Sequence, residues 1–200
     1  MATTVRNFFE RLAPTLPAPG QPKPRVIEKD LGIGALKRVL NQLQTQPITV
    51  GLQGASGATH HPGTKDASIA QVAAWQEYGT PGSDDRQYDQ PRRHIPSRPF
   101  LRTAFAKYQI EIRAQIQRAL SGVIDARTDL EAAQDGLGLA AVGFVRQTID
   151  DAKSWATPLA ESTVDRKGHD YPLVESHTMR EAVSYAVRDG ETIVRQGGEE

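Results

Sequence analysis

The chain has no cysteine. That excludes a disulfide framework, a thiolate zinc site and a cysteine nucleophile. It has no net charge either, since 24 lysines and arginines balance 24 aspartates and glutamates. A protein whose main task is to grip duplex DNA carries a basic excess to neutralise phosphates. The balance argues against that task, although Arg92-Arg93-His94 forms a local basic patch. Near-zero charge also lowers the electrostatic barrier to self-association. No apolar run approaches the ~20 residues that span a bilayer. Met1 to Leu16 lacks the long apolar stretch of a signal peptide. A soluble cytoplasmic product without membrane contact is expected. Aromatic residues make up only 6% of the chain and hydrophobic residues 38%. So little apolar content reads as an extended protein that buries part of its surface against partners.

What is present divides the chain in three. Residues 1–27 read as an arm: Val5, Phe8, Phe9 and Leu12 have helical spacing, and Pro14, Pro17, Pro19, Pro22 and Pro24 then favour an extended conformation. Two readings of this arm stay open, a disordered tail and a segment that docks Phe8 and Phe9 on a neighbouring subunit. Residues 28–196 form the domain, and 197–200 an acidic tail. Within the domain, Leu31 to Leu43 gives an apolar stripe for a helix over Glu28–Gln46, which Pro47 stops. Ile48, Val50 and Leu52 alternate as a short strand. Gly54 to Lys65 reads as a long glycine-rich loop, mobile until a neighbour pins it. A second helix covers Ala67–Tyr78 and ends at Gly79. Ser83 to His94 is a charged loop. Ser97 is placed to cap a helix with Pro99 in its first turn, continuing through Leu101, Phe105, Tyr108, Ile112, Ile116 and Leu120. A long helix over Leu130–Asp151 follows, where Gly136, Gly138 and Gly143 permit close packing. Trp155 to Asp170 is a loop with one helical turn. Thr178-x-x-Glu181 spells a capping box. Val183 to Val187 and Thr192 to Arg195 alternate as strands around Asp189-Gly190, a tight-turn signal. Helices segregated from a small, antiparallel sheet make the class α+β.

Three stretches together resemble the tail-completion, or putative tail-component, proteins of tailed bacteriophages. They are Val72-Ala73-Ala74-Trp75-Gln76-Glu77-Tyr78-Gly79-Thr80, Ile95-Pro96-Ser97-Arg98-Pro99-Phe100-Leu101-Arg102, and Pro172 to Arg180 with Val183 and Tyr185. The resemblance covers about residues 48–188, and the first two stretches are its most specific part. This chain departs from the pattern by inserting Pro81 to His94, and by carrying His177 where the family usually has glycine. A glycine there often marks a positive φ, which histidine only tolerates. The resemblance implies a fold similar to tail terminators, with an antiparallel sheet flanked by helices. It implies a virion protein of the neck that forms a ring, commonly a hexamer, at the head-proximal end of the tail. Partners would be further copies of itself, the tail tube protein and a head connector or stopper protein, with DNA only in passage. No catalysis or cofactor is implied.

The motif residues also have plain structural roles. Phe100 is a core anchor, worth about 3–5 kcal/mol on truncation. Arg98 and Arg102 lie one helical turn apart and are both placed to meet Glu77, or a carboxylate on a neighbour. Trp75 completes the core or sits at a subunit contact, with core favoured. Tyr78, Met179 and Arg180 join this core or interface set. Gly54, Ser56, Gly57, His60 and His61 are assigned to an interface or lumen loop. Gly51 to Gly57 follows a strand but lacks the Gly-Lys-Ser/Thr ending of a phosphate loop. His60 and His61 are adjacent, so on a strand they point oppositely and make a poor metal pair. Ser56, His169 and Asp170 make a triad only on paper, since no nucleophile elbow accompanies them. Against the neck reading stand another neck station such as a connector or tail-assembly factor, a hydrolase, and a DNA-binding module using Arg92, Arg93 and His94.

Overall fold

Alternation of apolar residues produces three strands: β1 Ile48–Leu52, β2 Val183–Asp189 and β3 Thr192–Gly197. They form one antiparallel sheet in the order β1-β2-β3. The register pairs Val50 with Tyr185 and Ala186 with Gln196, and a bulge lies between Val187 and Arg188. The computed structural model describes residues 33–62, 64–80, 95–174 and 177–198. Expectations for the N-terminal arm, for Pro81–His94 with its basic patch, and for Glu199 and Glu200 lie outside the described residues. The chain divides into units of residues 1–34 and 35–200, and the architecture that follows belongs to the second.

Nine helices occur among the described residues: α1 Ile33–Thr45, α2 Gly54–Ala58, α3 Ile69–Tyr78, α4 Phe100–Lys107, α5 Gln109–Ile124, α6 Leu130–Asp150, α7 Ala152–Trp155, α8 Glu161–Lys167 and α9 Thr178–Glu181. With the small antiparallel sheet, the class is α+β. None of these helices is long and apolar enough to cross a membrane. Helix α6 is the central element. Val142, Val145 and Ile149 recur at helical spacing and are buried against β2, whose Val183, Tyr185 and Val187 are buried in turn. Asp129 caps it by accepting the Ala132 N–H at 2.7 Å. Of its three glycines only Gly138 serves packing. A Cβ there would stand 2.3 Å from the Tyr185 ring, whereas Gly136 and Gly143 face open space.

Several local expectations are corrected. The stretch after β1 is not a structureless loop. Gly54–Ala58 folds as α2, and the chain beyond it is tied back by His61 N–H to Ala67 O (2.9 Å) and Ile69 N–H to Thr59 O (2.9 Å). These bonds satisfy backbone groups that a free loop leaves to water. The helix expected from Ser97 to Leu120 is two helices that meet at Tyr108, whose backbone leaves the helical range at φ −101°, ψ 21°. The Tyr108 ring stacks on Phe144 at 4.6 Å there, which fixes the bend against α6. Ser97 does not cap α4; the N-cap is Pro99, without a side-chain bond of its own. Thr178 lies inside α9 and makes no capping box, because His177 occupies the N-cap in the left-handed region at φ 57°. Gly197 belongs to β3 rather than to an acidic tail. Helix α1 leaves Leu40 exposed.

Candidate interaction surface

Helix α3 buries the face formed by Ile69, Ala73 and Glu77, and a capping box between Ser68 and Gln71 starts it. Glu77 is 3% exposed. Its carboxylate accepts the Leu101 N–H at 2.9 Å, the Arg102 N–H at 3.3 Å and Arg102 Nε at 2.9 Å. It therefore caps α4 from another helix, where orphan N–H groups and the helix dipole both favour a negative charge. The Glu77 carbonyl receives bonds from the Ser97 hydroxyl and from Arg102 Nη2, each at 2.8 Å. Gly79 turns the chain at φ 76°, and a Cβ there would stand 2.9 Å from the Ile95 carbonyl. Thr80 and Ile95 then form an antiparallel bridge. The residues on either side of Pro81–His94 thus close into one clamp, with Phe100 fully buried beneath it.

The structure separates the two arginines. Arg102 meets Glu77, as expected; Arg98 does not. Arg98 is 4% exposed. Its Nε donates to Thr157 O (2.8 Å), Nη1 to Gln76 Oε1 (3.1 Å) and Nη2 to Pro158 O (3.2 Å). Burial lowers its pKa from the ordinary guanidinium value. Trp75 is 39% exposed rather than part of the core. Two residues along a helix turn about 200°, so Trp75 points away from the face that Ala73 and Glu77 bury. Tyr78 is exposed, and the Arg102 guanidinium lies 5.4 Å from its ring centre. Met179 is buried, and Arg180 Nε pairs with Asp150 Oδ1 at 2.8 Å.

Of the residues assigned to an interface or lumen loop, Gly57 and His61 are buried within the subunit, which removes them from that role. Gly57 sits where a Cβ would strike the Leu52 carbonyl at 2.7 Å. Gly54 and His60 are exposed and Ser56 half-buried. His60 Nε2 lies 3.1 Å from the Lys65 carbonyl. Ser56 donates to Gln53 O, the His169 ring accepts from Tyr171 N–H, and Asp170 pairs with Lys153. The paper triad is thus engaged residue by residue with other neighbours. Among the described residues no group of three or more His, Asp or Glu is placed to hold a metal ion.

The surface best suited to a partner is a groove of about 170 Å³ between β1 and helices α4, α5 and α6. Ile48, Val50, Phe105, Ile116, Leu137 and Phe144 line it. Phe105 and Ile116 remain 43% and 41% exposed, and Ile110 and Ile124 on the same helix α5 are 80% and 63% exposed. No residue of α5 is buried. Comparison with known proteins gives no match to a family model, a curated protein or a solved structure.

Two internal polar networks escaped the sequence reading. Gln134 is fully buried, donates to Gln46 O at 3.1 Å and accepts from Arg195 Nη2 at 2.6 Å. Arg146 donates to the carbonyls of Arg180, Glu181, Val183 and Gly198. The signal was available: Arg146 falls on the stripe of Val142 and Ile149, where a charged side chain has to find partners.

Proposed function

We propose that this chain is a structural protein of a tailed-phage neck. In this reading it completes the tail and joins it to the head connector as an oligomeric ring, six copies in number. The observation that supports it most is the clamp. The two stretches on which the resemblance chiefly rests, Val72–Thr80 and Ile95–Arg102, meet there, and the polar groups of Glu77, Ser97 and Arg102 serve to join α3 to α4. Motif residues that act by fixing a junction suit a building block better than a catalyst.

The open apolar groove supplies the second support. A closed ring gives each subunit two different faces, one for each neighbour. The exposed apolar side chains Phe105, Ile110, Ile116 and Ile124 fit such a face better than they fit water. The tail tube protein and a connector or stopper would meet the two ends of the ring. The genome would pass through the lumen, which should be lined by acidic or uncharged groups, because arginines would hold phosphates by counterion release.

Electron microscopy of a lysate from a phage lacking this gene tests the function. DNA-filled heads beside unjoined tails are expected, and normal infectious particles would overturn the assignment. A neck reconstruction with a single asymmetric copy of the chain would overturn the ring alone. A lumen dense in arginine would overturn the charge argument.

A further inference from the structure

Helix α5 is held differently from the elements around it. Those elements are joined by buried side chains and by polar bonds: Glu77 caps α4, and Gln134 ties α6 to β3 through Arg195. Helix α5 has no buried residue. Among the described residues its side chains make one hydrogen bond, Arg118 Nε to Ala114 O at 3.3 Å, and that bond stays inside the helix. The turn that follows is tied back to α5, since the Arg127 and Thr128 N–H groups both reach Gly122 O, at 2.8 and 3.3 Å. What seats α5 is apolar contact, with Ile112 and Ile116 lining the same groove as Leu137 and Phe144 of α6. That contact is partial, because Ile110 and Ile124 already stand mostly in water. Lifting α5 therefore exposes little further apolar surface and breaks no polar side-chain bond among the described residues.

Both ends of α5 also carry a cost that lifting relieves. At its start the Tyr108 hydroxyl oxygen is shut off from water without a hydrogen-bond partner. Lys107 Nζ lies 5.0 Å from the centre of that ring, but donates to Asp151 Oδ2 at 2.9 Å. An orphan hydroxyl is costly to bury, and water satisfies it once the ring leaves Phe144. At the far end Ala126 is held at φ 55°, where the Cβ of an L-residue crowds the next carbonyl. A segment with little burial, few ties and strain at both ends has the features of a unit that opens below the free energy of global unfolding.

We propose that residues 108–126 form a strap, which lifts from α6 as one unit while α6 and the sheet stay folded. Lifting takes the Tyr108 ring off Phe144, on which it stacks at 4.6 Å. It also uncovers the apolar side chains that β1 and α6 contribute to the groove, Ile48, Val50, Leu137 and Phe144. The strap belongs to the fold and stands whether or not the chain forms a ring.

The test is hydrogen exchange of the backbone amides of the full chain, read by NMR in rising urea below the unfolding transition. The amides of α5 should share one opening, exchange at least about a hundredfold faster than the slowest amides of α6 and β2, and depend less steeply on urea. Tyr108→Phe keeps the ring and removes the orphan hydroxyl. It should slow exchange along α5 about tenfold, because the hydroxyl reaches water in the lifted form. Ala126→Gly should slow it as well, by relieving the turn, and it keeps the test independent of the ring. Exchange of α5 at the rate and urea slope of α6 overturns the strap. Protection that grades from the ends of α5 to its middle, without a common opening, overturns it too, since that is fraying of a helix. Tyr108→Phe that slows α6 and leaves α5 unchanged is a third contrary result, because the hydroxyl would then stay buried when α5 opens.

Discussion

Helix α6 offers one substitution, glycine to alanine, at three places where the surroundings set opposite signs. At Gly136 and Gly143 an added Cβ meets nothing within 4 Å. Only the backbone term remains, and alanine is better than glycine in a helix interior by about 0.8–1 kcal/mol. At Gly138 the Cβ would stand 2.3 Å from two carbons of the Tyr185 ring. Comfortable carbon contacts begin near ~3.5 Å, so ring or helix must move by about 1.2 Å. The ring has little room to move. Tyr185 is 5% exposed, and a Cβ at Gly197 would likewise stand 2.9 Å from it. Overpacking a filled site costs about 1–3 kcal/mol, and a shift of this size belongs at the upper end. After the helical gain, Gly138→Ala should lose about 2 kcal/mol, while Gly136→Ala and Gly143→Ala should each gain up to about 1 kcal/mol. Urea unfolding followed by circular dichroism reads all three, provided the slopes agree. Three midpoints shifted in the same direction, or Gly138→Ala as stable as the parent, would refute the packing argument.

Glu77→Ala should cost about 3 kcal/mol, because it uncaps two backbone N–H groups and strips a buried acceptor. Arg102→Gln should cost under about 1 kcal/mol, since that side chain is 62% exposed; equal losses in urea unfolding would show that the ion pair, not the cap, carries the clamp. His177→Gly should raise the unfolding midpoint by the equivalent of about 1 kcal/mol, by relieving a left-handed backbone at φ 57°, and a lowered midpoint would contradict this. Burial, with Asp135 nearby, raises the Tyr185 pKa above its ordinary 10.0. Between those values the unfolded chain releases a proton that the folded chain keeps, so stability falls as pH climbs from about 10. Tyr185→Phe should flatten that decline in alkaline unfolding curves, and an unchanged slope would exclude the assignment.

The elements most legible in the sequence were those with one strong period and one buried face. β2 alternates through Val183, Tyr185 and Val187, and α6 repeats Val142, Val145 and Ile149 at helical spacing, so both are placed by pattern alone. Signals that depend on distant partners were not legible. Glu77 caps a helix more than twenty residues along the chain, and no local pattern marks an acid as a cap for someone else's helix. Arg98 finds its carbonyl acceptors some sixty residues away, which hid its separation from Glu77. Trp75, read as core or subunit contact with core favoured, lies outside the core because the geometry of α3 gives the buried face to Ala73 and Glu77. Glycines misled in α2, where Gly57 is required for close approach to Leu52 rather than for freedom.

The bridge between Thr80 and Ile95 has a consequence for how this protein can change. The chain leaves the described fold at Thr80 and returns beside it at Ile95, with Thr80 N–H bonded to Ile95 O at 2.9 Å. Doubling the length of such an excursion adds only about 0.6 kcal/mol to its closure entropy. A change of length between Thr80 and Ile95 therefore adds little to the cost of closing the bridge. Evolution, or a protein engineer, can lengthen or shorten the chain at this point at small entropic cost to the junction that Thr80 and Ile95 close.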